Sequence, residues 1–281
     1  MNNITIPSLL VPVFLIALTL VVLTSCSISQ NYNDPFGPVY EGDFSDGPPT
    51  RDGEFKVVTW NLRLGDQVDE ALETLSSVDE LREADVILMQ EMDEAGVERI
   101  AEALAYNYVF YPTILRTRHE KLQGNAILSK WPFVDHSKII LPAYLPGIMQ
   151  TRIAVKGTLG VAGRQVDVYS VHLERIWLLP VSGNRQAEYL VRRIDPGRNS
   201  LVGGDYNSWN DRVIMYLEEQ YQKIGLSRDS KGTGHTFESA GIRLTLDHLF
   251  SNLGEQSAAG VWRESSASDH HPVWVNYRLN E

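Results

Sequence analysis

The sequence predicts one α/β domain over residues 55–281, and three observations carry the prediction. Strand-like and helix-like apolar patterns alternate from Phe55 to the C-terminal end. No second linker and no internal repeat divides them. Polar residues of the kinds used in catalysis recur directly after the apolar strand segments, as expected where strand ends share one rim of a sheet.

Residues 55–60 read as the first strand. Val68, Ala71, Leu72, Leu75 and Val78 then recur at helical spacing. Residues 85–90 form a short, nearly continuous apolar run, the mark of a strand covered on both faces. Val97, Ile100, Ala101 and Leu104 make a second helix face, and 126–129 a further strand. Alternation over 152–156 and 166–171 gives two more strands. Ala187, Leu190, Val191 and Ile194 mark a third helix, and strands at 201–202, 246–250 and 273–277 complete the pattern.

Composition narrows the function classes. Hydrophobic residues make up 43% and charged residues 22%, which excludes disorder over most of the chain. The formal charge of −11 disfavours a protein that coats a polyanion, while leaving room for a small cationic site on an acidic body. A single cysteine excludes an intramolecular disulfide and a Cys-rich zinc site.

That cysteine has a telling position. Residues 1–25 contain no charged side chain, and the apolar run 9–23 is shorter than the ~20 residues of a spanning helix, as in a signal peptide. The run ends in Leu23-Thr24-Ser25-Cys26, which resembles a bacterial lipobox and implies cleavage before Cys26 and lipid on its thiol. The alternative is an uncleaved anchor helix with an incidental cysteine. No Lys or Arg precedes the run, a departure from the usual signal. Either way the expected location is extracytoplasmic, at a bacterial membrane. Residues 26–54 are rich in Pro, Gly and acidic side chains, and are expected to form a flexible tether.

The strand-end residues are Asn61, Glu91, His172, Asp205, Asn207, Asp247, Asp269 and His270. Singly, each has a structural explanation as a turn former, a cap or a satisfied histidine. Their recurrence after so many separate strands points to convergence on one site.

Thr59-Trp60-Asn61, Gln90-Glu91, the run Gly124-Asn125-Ala126-Ile127-Leu128-Ser129, Gly204-Asp205-Tyr206-Asn207, Leu246-Asp247-His248 and Ser268-Asp269-His270 follow one another in an order that resembles the endonuclease/exonuclease/phosphatase superfamily of metal-dependent phosphoesterases. The resemblance implies a four-layer α/β sandwich, two packed mixed β-sheets flanked by helices, over essentially all of 55–278. It also implies Mg²⁺, with Mn²⁺ as a substitute, held by Glu91 and Asn61 with Asp269 contributing. Asp205 would deprotonate the attacking water, and Asn207 would bond that water or a phosphoryl oxygen. His270, oriented by Asp247, and His172 would donate to the phosphate. The chemistry agrees: a phosphodiester resists attack because it is an anion, and a divalent cation neutralises the charge that builds on its oxygens. A histidine at 172 tilts the resemblance towards the deoxyribonuclease-like and sphingomyelinase-like branches.

Arg63 either clamps a substrate phosphate or pairs on the surface. Asn125 either faces the phosphate or begins a strand. His248 and His271 adjoin site residues and, pointing oppositely on a strand, read as bystanders or groups at the substrate rim. His119 and His136 have no supporting context. The expected function is hydrolysis of a phosphate ester by an activated water in a membrane-tethered, monomeric enzyme. A small or lipid-borne substrate is favoured over duplex DNA, because the basic patch Arg116, Arg118 and Lys121 is short. Residues 144–149 and 176–180 are apolar stretches suited either to lipid contact or to the core. The alternatives are a secreted-type nuclease and a binding lipoprotein that kept the fold without the reaction.

Overall fold

The computed structural model describes residues 30–47, 53–117, 120–143, 150–174 and 181–279. Cys26, residues 1–25, Arg118, His119 and the apolar stretches 144–149 and 176–180 lie outside them.

In chain order the strands are β1 (Gln30–Asn31), β2 (Tyr40–Gly42), β3 (Glu54–Asn61), β4 (Val86–Met92), β5 (Asn107–Arg116), β6 (Lys121–Ser129), β7 (Phe133–Ile140), β8 (Ile153–Val161), β9 (Arg164–His172), β10 (Asn199–Asp205), β11 (Ser227–Arg228), β12 (Phe237–Ser239), β13 (Ile242–Leu244), β14 (Asp247–Ser251), β15 (Gly254–Val261) and β16 (Val273–Leu279). The helices are α1 (Val68–Ser77), α2 (Glu94–Ala103), α3 (Val181–Val191) and α4 (Asp211–Gln222). One sheet runs β1-β5-β6-β4-β3-β16-β15, with β2 also on β5. The other runs β11-β14-β10-β9-β8-β7, and β12-β13 is a separate hairpin. Both large sheets mix parallel and antiparallel pairs.

Side-chain parity builds the layers, since successive residues of a strand face opposite sides. Val57, Val86, Leu88, Val109 and Ile127 of the first sheet meet Ile153, Val155, Val168, Leu201 and Leu249 of the second in a central core. The alternate residues Val58, Trp60, Ile87, Met89, Phe110 and Leu128 pack under α1 and α2. Tyr169, Val171, Val202 and Phe250 pack under α3 and α4. The result is helices, sheet, sheet, helices: the four-layer sandwich that the motif resemblance implies.

The N-terminal expectation needs correction. Tyr40, Glu41 and Gly42 pair with Phe110, Val109 and Tyr108, and Gln30 and Asn31 pair with Leu115 and Ile114, so much of 30–47 belongs to the folded body. Acidic, Pro/Gly-rich composition argued for a tether, but it counts only apolar burial. Here main-chain bonds to the exposed side of β5 do the holding. They are joined by the Lys138 ammonium on Gly37 O (2.6 Å) and by Phe44 stacked on Tyr108 at 6.2 Å.

Candidate active site

Along each strand the side chains of the central layer change from hydrocarbon to polar at one end. Phe55, Val57, Thr59 and Asn61 share a parity, as do Val166, Val168, Ser170 and His172, and Leu201, Gly203 and Asp205. The residues at the low end of each series are buried hydrophobics or glycine, and those at the high end are buried polar groups. Register then aligns the ends. Asp205 pairs with His172 on one side and with Asp247 on the other, while Asn61 lies beside Gln90 across the facing sheet.

Two backbone features aim the site. Glu91 has the parity of the outer face, yet its φ of 57° and the irregular register between Met89 and Met92 turn it out of the ladder. A non-glycine residue in this region is strained, and such strain is held where the surroundings over-determine it. Gly204, with φ 149°, lets β10 approach β9 closely: a Cβ there would meet Val171 O at 1.9 Å. Only glycine fits this position.

Asp205 is the hub. Its carboxylate accepts from Asn207 N (2.8 Å) and Asn61 Nδ2 (3.1 Å), and lies 3.4 Å from His172 Nε2 and 3.8 Å from His270 Nε2. Burial, and then repulsion from Asp247, push its pKa up to about 7, against the pull of His270 and the two hydrogen bonds. His270 donates from Nδ1 to Asp247 Oδ2 (2.9 Å), which also accepts from Thr236 Oγ1 (2.6 Å). Burial alone would lower the His270 pKa, but the carboxylates of Asp247 and Asp205 overcome it and raise it to about 10. The two carboxylates thus favour the imidazolium form of His270, whose Nε2 lies 3.8 Å from Asp205 Oδ2.

His172 is its opposite. The Arg152 guanidinium can only donate, so its Nη1 contact of 3.1 Å makes His172 Nδ1 the acceptor and places the proton on Nε2. Burial first, then Arg152 and His270, hold the ring well below its ordinary pKa. It is a neutral donor aimed at Asp205 and at Glu91, whose Oε1 is 3.8 Å away.

Asp205, Asp247 and His270 offer ligand atoms within 4.8 Å of one another. Because His270 is protonated and its Nδ1 is spent on Asp247, this group forms an acid–base array better than a metal cage. Oxygen donors of the kind a hard divalent cation prefers stand at its edge. Glu91 keeps a side chain 23% exposed, and Asn61 Oδ1 accepts one bond, from Arg63 N at 3.0 Å, leaving a lone pair. The carboxylate of Asp269 is 4.0 Å from Arg63 Nε. The buried Oδ1 of Asp247 has no hydrogen-bond partner among the described residues. The negative charge gathered here fits a cation.

Two expectations change. Asn207 was expected to reach the water or phosphate, but its amide donates to Leu173 O (2.9 Å) and Asp205 Oδ2 (3.4 Å), so it props the carboxylate. Asn125 is buried between the sheets and donates to Ile153 O and Ser170 O, which removes it from the substrate-binding set. Of the two readings of His248, bystander or rim group, the structure fits the first. It is fully buried, 2.7 Å from Ser208 Oγ, with its pKa lowered to about 3 by burial and then Arg228. Of the basic patch, Lys121 is paired with Asp93 at 2.6 Å and donates to Leu64 O.

Sequence reasoning missed Arg152, Thr236, Trp60 and Ser268. Trp60 Nε1 donates to His270 O (2.9 Å), and Ser268 Oγ bridges Asn61 O (2.8 Å) and His270 N (3.1 Å). Trp60 and Ser268 sat inside the quoted motifs, where their side-chain roles had no separate signal. Arg152 read as a strand start, and nothing local reveals its contact with His172.

Comparison with known proteins agrees with this fold. Residues 58–270 match the Endonuclease/Exonuclease/phosphatase family. A UPF0294 protein of Vibrio cholerae serotype O1 is 37% identical over 81 residues, which span 28% of this chain and 27% of that relative. Among solved structures, an endonuclease/exonuclease/phosphatase from Beutenbergia cavernae superposes with TM-score 0.67 at 20% identity, covering 82% of this chain and 72% of the other. The mannosyl-6-phosphatase Bt3783 of Bacteroides thetaiotaomicron gives 0.61 at 18% identity, over 79% and 98%. Sphingomyelinase C of Streptomyces griseocarneus gives 0.59 at 17% identity, over 80% and 99%.

Proposed function

The chain belongs to the endonuclease/exonuclease/phosphatase family, whose members are metal-dependent phosphoester hydrolases, and from that premise we propose a Mg²⁺-dependent phosphodiesterase held at the outer face of a bacterial membrane through Cys26. The observation that carries the chemistry is the Asp205–His270–Asp247 array beside a neutral His172. Asp205 takes the proton of the attacking water as its oxygen bonds to phosphorus and the bond to the leaving oxygen breaks. Asn61 and Asn207 hold that carboxylate in place. His270 Nε2–H and His172 Nε2–H donate to phosphoryl oxygens, and Arg152 fixes the His172 tautomer. Glu91, Asn61 and Asp269 would hold Mg²⁺, which neutralises charge developing on the phosphoryl oxygens.

A lipid-borne or small phosphodiester is the favoured substrate. The acidic body and the pairing of Lys121 with Asp93 weaken the case for duplex DNA, which needs several free phosphate contacts. The anchor supports the same reading. Asn31 Oδ1 accepts from Thr151 N at 3.0 Å, one residue from Arg152, so the folded N-terminal segment begins at the site end of the molecule. The chain between Cys26 and Gln30 spans at most about 14 Å. A lipid on Cys26 would hold the cleft close to the bilayer and raise its local substrate concentration.

Specificity constants at near-physiological salt with Mg²⁺ test the substrate assignment. The highest value is expected for a phospholipid or a small phosphodiester, and a wide preference for duplex DNA would replace this reading with that of a secreted-type nuclease. Detergent partitioning tests the anchor. Wild type should enter the detergent phase and Cys26→Ala the aqueous phase, whereas equal partitioning with an unprocessed N-terminus would refute lipidation.

A further inference from the structure

On the far side of the segment that carries His270 lies a second cluster of ligand-type side chains. His235, Glu238 and His271 each offer a ligand atom, and these atoms all lie within 4.8 Å of one another. Two of them, His235 Nε2 and Glu238 Oε2, are 3.4 Å apart. The rings of His235 and His271 stand edge to face with centroids 5.8 Å apart.

His271 is the unexplained member. It is 7% exposed, and neither Nδ1 nor Nε2 has a hydrogen-bond partner among the described residues. Nearly all buried polar atoms are satisfied, and an imidazole with both nitrogens unpaired is a costly arrangement unless something else engages it. The backbone holds the three residues in a fixed frame. His271 N donates to Thr236 O (2.7 Å), Glu238 N donates to Asp269 O (2.9 Å), and Phe237 bridges His270 in antiparallel fashion.

We propose that His235, Glu238 and His271 form a second metal site, for a borderline divalent transition ion of the Zn²⁺ class, separate from the phosphoesterase centre. Two imidazoles and one carboxylate suit Zn²⁺ and not Mg²⁺, which prefers an all-oxygen shell. Arg243 pairs with Glu238 (3.0 Å and 3.1 Å), and Arg263 binds His235 O (3.0 Å) and Thr233 O (2.6 Å). These guanidinium groups oppose any cation, so the affinity has to come from the two imidazole lone pairs. The Arg243 pair is exposed, and exposed pairs yield readily to a stronger ligand. The side chains of His235 and Glu238 both retain solvent contact. His270 and His271 are consecutive in an extended segment and face opposite ways. An ion on His271 would thus brace the backbone that positions His270 without entering the cleft.

The test uses the full-length protein in detergent, stripped with a chelator and titrated with Zn²⁺ alone, with Co²⁺ as the spectroscopic reporter. Wild type should take up Zn²⁺ at this site, show a Co²⁺ d–d spectrum with nitrogen ligation, and melt at a higher temperature with Zn²⁺ present. His235→Ala should lose roughly 100-fold or more in affinity, since disturbing even the partners of metal ligands costs 10–100-fold. His271→Ala should do the same, and circular dichroism shows whether it folds. His235 is partly exposed and supplies the same test if the buried variant does not fold. Glu91→Gln should keep the full affinity. Loss of Zn²⁺ in Glu91→Gln with retention in His235→Ala would place the ion in the cleft and overturn the proposal, as would the absence of Zn²⁺ binding to wild type at micromolar concentration.

Discussion

Asp205→Asn is expected to lower kcat by about 10²–10⁴-fold while the fold persists. The exchange keeps the size of a side chain at the junction of β9, β10 and β14 and removes its ability to accept a proton from water. Burial and the nearby Asp247 disfavour the ionised carboxyl and set its pKa at about 7. That gives the sign of the pH dependence. The base works only when ionised, so wild-type kcat/KM falls as pH drops below about 7, with the midpoint lowered by bound Mg²⁺. Asp205→Asn should lack this limb. Stability moves the other way: because the folded pKa lies above the unfolded one, the carboxyl becomes a growing burden on the metal-free fold as pH rises from about 4 through 7. His270 draws part of its charged state from Asp205, so the gain in melting temperature for Asp205→Asn at neutral pH should be smaller than burial alone implies. Full turnover in this variant would remove Asp205 from the mechanism.

Glu91→Gln has the second large effect, and it appears in metal dependence. The side chain leaves the β4 ladder through a left-handed residue and stands 3.8 Å from His172 Nε2, at the edge of the Asp205 array. Nothing in the packing requires a charge there. Replacing one carboxylate oxygen by an amide group removes a hard anionic ligand. The Mg²⁺ concentration for half-maximal activity should rise at least about tenfold, with much of kcat recovered at saturating Mg²⁺. The measurement is a Mg²⁺ titration of both proteins on one substrate. An unchanged titration curve would place the ion elsewhere.

Much of this site was legible because strand parity is legible. Residues 55–60, 166–171 and 201–202 were recognised by the apolar residues that line the central core. The next residues of the same parity, Asn61, His172 and Asp205, had to point into the same layer at its polar end. Parity also separated His270 from His271 and Asp247 from His248, although a strand pattern cannot tell whether the outward face meets solvent or another layer. His248 meets a layer and is buried. Elements with weaker signals escaped. In β5, Pro112 interrupts the run and is accommodated where the register shifts before Ile114. In β15, Ser, Ala and Gly give no alternation to read. The N-terminal segment looked like a tether because its order rests on backbone hydrogen bonds that composition does not report. Arg152 was invisible because a partly buried guanidinium at a strand start is explained only by the carboxylates and the imidazole that other strands bring to it.

The central claim is that a cation held beside Glu91 and a proton acceptor at Asp205 together open a phosphoester bond with water. The most direct measurement is turnover of a generic aryl phosphodiester by the chelator-treated protein, before and after Mg²⁺ is restored, in wild type and Asp205→Asn. The account predicts no turnover without the ion, recovery on adding Mg²⁺ in wild type, and no comparable recovery in Asp205→Asn. Turnover that survives chelation, or equal recovery in the two proteins, would contradict it.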